Sequence, residues 1–171
     1  MCVLIYKPSG VKMPSIETLR ACFNANPHGA GFATPYGSHH SMRFDAICRG
    51  LSSVSIDTPC IIHFRLATHG SIKLSNCHPF KIDDVFFAHN GVLNIRVKDD
   101  KTDSETAFKM LYPFIQKYGL NSARVKFEID KIIGSSKFAF MRGRKVYLFG
   151  DFIKKDGCYY SNMRWQSYMP Y

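Results

Sequence analysis

Chemistry in this chain can begin at its second residue. Cys2 directly follows the initiator Met1. Cysteine is small enough for that methionine to be removed, which would make Cys2 the first residue of the mature chain. A free α-amine has a pKa of roughly 7.7–8.0. It can therefore take the proton of its own thiol without help from a histidine. Position alone leaves two other readings open, a buried strand thiol and a lipidated N-terminal cysteine.

The second chemical stretch runs from Cys60 to Asn94, CIIHFRLATHGSIKLSNCHPFKIDDVFFAHNGVLN. Ile61–Leu66 and Val85–His89 read as strands. Each stops at a polar turn that contains glycine, Thr68-His69-Gly70 and Asn90-Gly91. A polar group just past a buried strand sits on a rigid support, and the turn exposes backbone amides. Asn90-Gly91 also fits a plain hairpin turn. Metal chemistry is not supported. Cys60 and His63 are three apart and point to opposite faces of a strand, and neither they nor the adjacent Cys77-His78 have zinc-finger spacing. The chain has no Walker loop and no dinucleotide fingerprint, so no cofactor is expected.

The elements that must carry these residues follow from periodicity. Cys2–Tyr6 reads as a short, central strand. Pro14-Ser15 opens a helix with Ile16, Leu19 and Phe23 on one face, ending before Asn26-Pro27. Residues 28–36 read as a strand whose Gly29 and Gly31 admit a close backbone or ligand. His39-His40 is placed in a hairpin turn, with Ser41–Cys48 as the returning strand. After a polar loop at Lys98–Lys101, Thr102-Asp103-Ser104-Glu105 fits a capping box. The helix it starts carries Pro113, which predicts a kink or break. A second helix spans about Asn121 to Ile133, with Val125, Ile129, Ile132 and Ile133 inward and Gly134 as its stop. Lys137–Met141 and Lys145–Phe149 form a hairpin, and residues 152–162 add further strand. The aromatic tail RWQSYMPY has no placement. Strands, then two helices, then more strands suggest α+β with largely antiparallel sheets.

Composition narrows the class. A chain of 171 residues with 46% hydrophobic content reads as one globular domain, residues 1–171. Its apolar runs fall far short of the ~18 residues a membrane helix needs. Val3–Tyr6 is cut off at once by Lys7, Pro8 and Gly10, so it is not a secretory signal, and the cytoplasm is the default address. Six cysteines without a CxxC pair read as reduced thiols, which leaves Cys2 available. The formal charge of +10 raises nucleic acid or an acidic partner as a binder. Apart from a denser zone over Lys137–Lys155 the charges are scattered, which favours a solvated basic surface.

Taken together, the residues resemble a known family. Cys2, His63-x-Arg65-x-Ala67-Thr68-His69-Gly70, Asn76-x-His78-Pro79-Phe80, His89-Asn90-Gly91 and Thr102-Asp103-Ser104-Glu105 occur in that order. The set is similar to the class II glutamine amidotransferases, which are N-terminal nucleophile hydrolases. Glutaminase domains of glucosamine phosphate synthase and of the purine-pathway amidotransferase belong there. The resemblance extends from Cys2 to about Phe149.

It implies a four-layer αββα sandwich of two mainly antiparallel sheets, and a role for each matching residue. Cys2 is the nucleophile on the side-chain amide of L-glutamine. The Asn90 amide and the Gly91 N–H form the oxyanion hole. Arg65 grips the substrate α-carboxylate, assisted by Thr68 and His69; a planar guanidinium suits a carboxylate. Asp103 holds the α-ammonium, and His78 lies near the site. Read alone, Arg65 could instead stitch strand to loop, and Asp103 could be a helix-start aspartate favoured by the macrodipole. Leu66 stands where several family members carry an aromatic residue. The chain shows no room for a synthase module. Ammonia delivered to a separate synthase chain is therefore the leading expectation. A free-standing amidase on another linear amide, and a silent module binding nucleic acid or an acidic partner, are the alternatives.

Overall fold

Side-chain alternation along the first strand decides the layering. Val3 and Ile5 face one way and Leu4 the other, yet all three are buried. A strand buried on both faces needs packed layers on both sides. The computed structural model describes residues 2–67, 71–97 and 102–170. It builds two sheets with helices on their outer faces.

The first sheet has six strands in the order β3-β2-β4-β1-β10-β9. These are β1 (Val3–Lys7), β2 (Ala30–Thr34), β3 (Gly37–Ser41), β4 (Cys60–Phe64), β9 (Ile153–Lys155) and β10 (Cys158–Tyr160). The second has four, in the order β5-β6-β7-β8: β5 (Phe80–Ile82), β6 (Val85–Asn90), β7 (Lys137–Arg142) and β8 (Lys145–Phe149). Every pairing in both sheets is antiparallel. Leu4, Ala33, Ile61, Phe86, Ala88, Ala139 and Met141 pack between the sheets. Small alanines on facing strands let the two backbones approach.

Two helices, α1 (Ile16–Ala25) and α2 (Phe44–Ser52), cover the outer face of the first sheet. Two more, α3 (Asp103–Tyr118) and α4 (Ala123–Ile133), cover that of the second. This is the expected α+β, four-layer arrangement. Caps set three of the helix starts, at Ser15 and Thr102 where the sequence predicted a start and at Ser122, one residue beyond the predicted Asn121. The hydroxyls of Ser15, Thr102 and Ser122 accept from the backbone N–H three residues on, in Thr18, Glu105 and Val125. Gly134 ends α4 at a φ of 51°. Of the residues expected inward on α4, Ile132 is only partly buried.

Several expectations are corrected. Ser41–Cys48 is not a returning strand: Phe44, Ile47 and Leu51 are spaced i, i+3, i+7 and turn one buried face of α2 toward the first sheet. His39 and His40 belong to β3 itself, and the turn before it lies at residues 35–36. Ile16 is 49% exposed rather than part of the buried face of α1. Pro113 does not break α3, which continues through it to Tyr118. The Lys98–Lys101 loop lies outside the described residues.

The aromatic tail is placed. It forms a 3-10 turn at Arg164–Tyr168 whose Trp165 is buried against Tyr160, at 5.5 Å between ring centroids. At the opposite end of β1, Lys7 is buried and makes no ion pair among the described residues. Its ammonium donates to the carbonyls of Ser55, Ile56 and Thr58, the last at 2.8 Å. Burial lowers its pKa, and the carbonyl cage takes up all three of its protons.

Candidate active site

The same alternation aims the chemistry. Cys2 lies two residues before Leu4, on the face that looks between the sheets. His63 lies two residues after Ile61, on the facing side of β4. Both therefore point into the gap, at the end where Val3 pairs with Phe64. Cys60 points the other way, into the helix-facing core, as its spacing from His63 required.

The Cys2 thiol is held by the chain that leaves β4. The Leu66 N–H donates to Sγ at 3.3 Å, and Sγ lies 3.5 Å from the Leu66 carbonyl. Burial raises the thiol pKa, while the Leu66 N–H and the nearby Arg65 guanidinium pull it back down. The segment is anchored from the start of β2. Arg65 N–H donates to the Gly29 carbonyl at 2.8 Å, His28 N–H to the Arg65 carbonyl at 3.0 Å, and Ala67 N–H to His28 Nδ1 at 3.0 Å. Nδ1 of His28 is therefore the unprotonated nitrogen.

Cys2, Arg65, His78, Gly91 and Asp103 line one cleft between the layers. Asp103 begins α3. One carboxylate oxygen accepts from the Leu93 N–H at 2.9 Å, and the other accepts from the Ser104 N–H and hydroxyl. It thus ties the segment after β6 to the helix start, as a first-turn acid should. Arg65 is buried, 5% exposed. Gly91 adopts a φ of 143°, and an added Cβ would run into Ser136. Asn90 is at the end of β6 and is not followed by a hairpin; β6 pairs with β5 and β7. Its Nδ2 donates to the Ser161 hydroxyl at 2.7 Å, while Oδ1 has no partner among the described residues. Thr68, His69 and Met1 lie outside the described residues.

Three histidines back this cleft. His63 Nε2 lies 3.1 Å from the His89 carbonyl, which only accepts, so Nε2 carries the proton. His78 Nδ1, 3.1 Å from His63 Nε2 and 3.5 Å from the His89 N–H, then faces two donors and is unprotonated. His89 Nδ1 meets the Ser104 hydroxyl at 2.8 Å, which continues to Asp103. Burial holds all three neutral: His63 falls to about 3, His89 to about 4, and His78 well below its ordinary value. Among the described residues no cluster of metal-ligating side chains forms.

Residues 23–149 match the family model of the class II glutamine amidotransferases. The chain belongs to that family. It is an enzyme domain of the glutamine-hydrolysing type. Two solved structures share the fold. One is glutamine phosphoribosylpyrophosphate amidotransferase from B. subtilis complexed with ADP and GMP, at a TM-score of 0.62 and 19% identity. The other is described as the allosteric regulatory enzyme of purine biosynthesis, at 0.62 and 18%. Each match covers 94% of this chain but 41% of the other, so the chain spans about two fifths of those proteins. No curated protein matches by sequence.

Sequence reasoning missed His28, Ser104, Ser161 and Asn162. His28 and Ser104 sit beside motif residues, His28 next to Gly29 and Ser104 within Thr102–Glu105, but their partners are distant in sequence. Ser161 and Asn162 belong to a stretch without any motif.

Proposed function

We propose that this amidotransferase domain hydrolyses the side-chain amide of L-glutamine through a thioester on Cys2. The observation that carries the reading is the gathering of Cys2, Arg65, His78, Gly91 and Asp103 around one cleft from five separate stretches of sequence. In this reading the free α-amine of Cys2, exposed once Met1 is removed, takes the thiol proton. The sulfur attacks the side-chain amide carbon, and the negative charge moves onto the amide oxygen. The Gly91 N–H and one N–H of Asn90 face that oxygen. The C–N bond then breaks and the α-amine returns its proton to the leaving ammonia. Water attacks the thioester, glutamate leaves, and the thiol is restored. The Leu66 N–H steadies the thiolate before attack.

Arg65 and Asp103 supply opposite charges on the walls of one cleft, which suits the α-carboxylate and α-ammonium of a free amino acid. Thr68 and His69 assist that grip, and His78 supports Arg65's side of the cleft as a neutral ring. The ammonia passes to a synthase partner. Chemistry of this kind needs neither metal nor cofactor.

The test is release of ammonia and glutamate from L-glutamine by protein whose loss of Met1 has been established by intact mass. Turnover is expected, and Cys2→Ala should abolish it. Full activity in Cys2→Ala would rule out this nucleophile. The reading as an amidase on another linear amide is separated by Asp103→Asn. Its loss should be severe on glutamine and mild on an amide that lacks the α-amine.

A further inference from the structure

From the contacts of one hydroxyl, we infer that Ser161 is a positioning residue for the oxyanion hole, resting on the glutaminase reading above. Ser161 lies just beyond β10, outside the 23–149 stretch that matches the family model. It is buried, 4% exposed. Its backbone N–H donates to the Leu4 carbonyl, and its hydroxyl accepts from the Leu4 N–H, both at 2.9 Å. The side chain is therefore locked to the nucleophile strand two residues from Cys2. The same hydroxyl accepts from Asn90 Nδ2 at 2.7 Å, across the gap from the second sheet. The next residue, Asn162, donates from Nδ2 to the Cys2 carbonyl at 2.8 Å.

An amide nitrogen carries two N–H groups in one plane. With one directed at Ser161, the direction of the other is fixed. Among the described residues nothing else polar holds the Asn90 side chain, because Oδ1 is buried without a partner there. Ser161 thus sets the distance and angle between two groups that arrive on different sheets: the nucleophile on β1 and the oxyanion donor on β6. What holds Ser161 itself is the pairing of β10 with β1, Ile5 against Tyr160, and the packing of Trp165 on Tyr160. The segment that carries no family motif thereby joins the two halves of the site.

The test compares wild type, Ser161→Ala and Ser161→Thr, each with a native N-terminus. Two ligands separate positioning from general damage. Glutamate γ-semialdehyde forms a hemithioacetal with Cys2: the thiol proton passes to the α-amine, the S–C bond forms, the carbonyl π pair moves onto oxygen as an alkoxide, and the hole is engaged. L-glutamate engages only the α-groups. Ser161→Ala should lower kcat about 10- to 100-fold, somewhat less than deleting an oxyanion donor outright. KM and L-glutamate affinity should stay within about twofold, semialdehyde affinity should fall in parallel with kcat, and Ser161→Thr should recover most of both. Combining Ser161→Ala with Asn90→Ala should cost little more than Asn90→Ala alone. Wild-type kcat and semialdehyde affinity in an active Ser161→Ala enzyme would overturn the inference and leave the glutaminase reading standing. Equal loss of both ligands would overturn it too, as a purely structural effect. Absence of turnover in the wild type would remove the parent reading and this one with it.

Discussion

The thiol of Cys2 is one atom in a chain of backbone contacts, and its neighbours matter as much as its identity. Leu66 presents an N–H to the sulfur, and the next residue, Ala67, is pinned by His28. Because His28 Nδ1 accepts that bond, the residue needs an acceptor near that nitrogen and nothing more. Asparagine places a carbonyl oxygen at a similar distance from the backbone; leucine does not. His28→Leu should therefore raise KM for glutamine about 5-fold, the worth of one hydrogen bond of about 1 kcal/mol, with kcat near wild type. His28→Asn should restore most of it. Steady-state kinetics on both variants decides, and equal effects would show that the ring's bulk matters instead. Residues of this type were not legible in the sequence. Cys2, Arg65, His78, Gly91 and Asp103 could be named because each sits in a short ordered motif. His28 and Ser161 act on partners 39 and 71 positions away, and only the fold brings them together.

At the scale of elements, the single glycine of β2, Gly31, explains how two sheets meet at the site. An added Cβ at Gly31 would collide with the carbonyl of His78 and with the His40 ring. The backbone before β5 therefore packs directly on β2, and His40 Nε2 reaches the Pro79 carbonyl at 2.9 Å. Gly31→Ala should destabilise the fold by about 1–3 kcal/mol, the usual cost of overpacking, because the clash is with backbone that cannot rotate away. Urea unfolding measures it, and an unchanged midpoint would show that β2 and the His78 segment can separate freely. Close approach at this strand was readable from Gly29 and Gly31. The identity of α2 was not read, although Phe44, Ile47 and Leu51 carry a helical spacing. Strand propensity in Phe44, Ile47 and Cys48 competed with that spacing over a short window, and only packing on the first sheet settles it. Pro113 misled in the opposite direction: a missing N–H is a local cost, and α3 is held by its buried face of Ala107, Phe108, Leu111 and Ile115.

For the molecule as a whole, charge and burial pull apart. The net charge of +10 lies largely on the surface, and parts of the basic Lys137–Lys155 zone are engaged. Arg142 pairs with Asp84 at 2.7 Å, and Arg144 donates to the Asp57 carbonyl. No helix among the described residues is long and apolar enough to cross a membrane. Inside, three neutral histidines make stability depend on acid. His63 and His89 titrate at about 3 and about 4 when folded, whereas an unfolded histidine titrates near 6.5. Between those values the unfolded chain binds more protons, so stability falls as pH drops below about 6.5. Both groups add to that loss over the window. The urea midpoint should therefore fall steeply from pH 7 to pH 5, and a flat profile would mean the rings are already protonated in the fold. All of this serves one sulfur atom. The most direct measurement is to offer the mature protein L-glutamine together with hydroxylamine, and to record intact mass and γ-glutamyl hydroxamate. An acylated intermediate on Cys2 predicts hydroxamate formed at the expense of glutamate, with a γ-glutamyl adduct on the N-terminal peptide. Ammonia release without either product, or with both unchanged in Cys2→Ala, would contradict it.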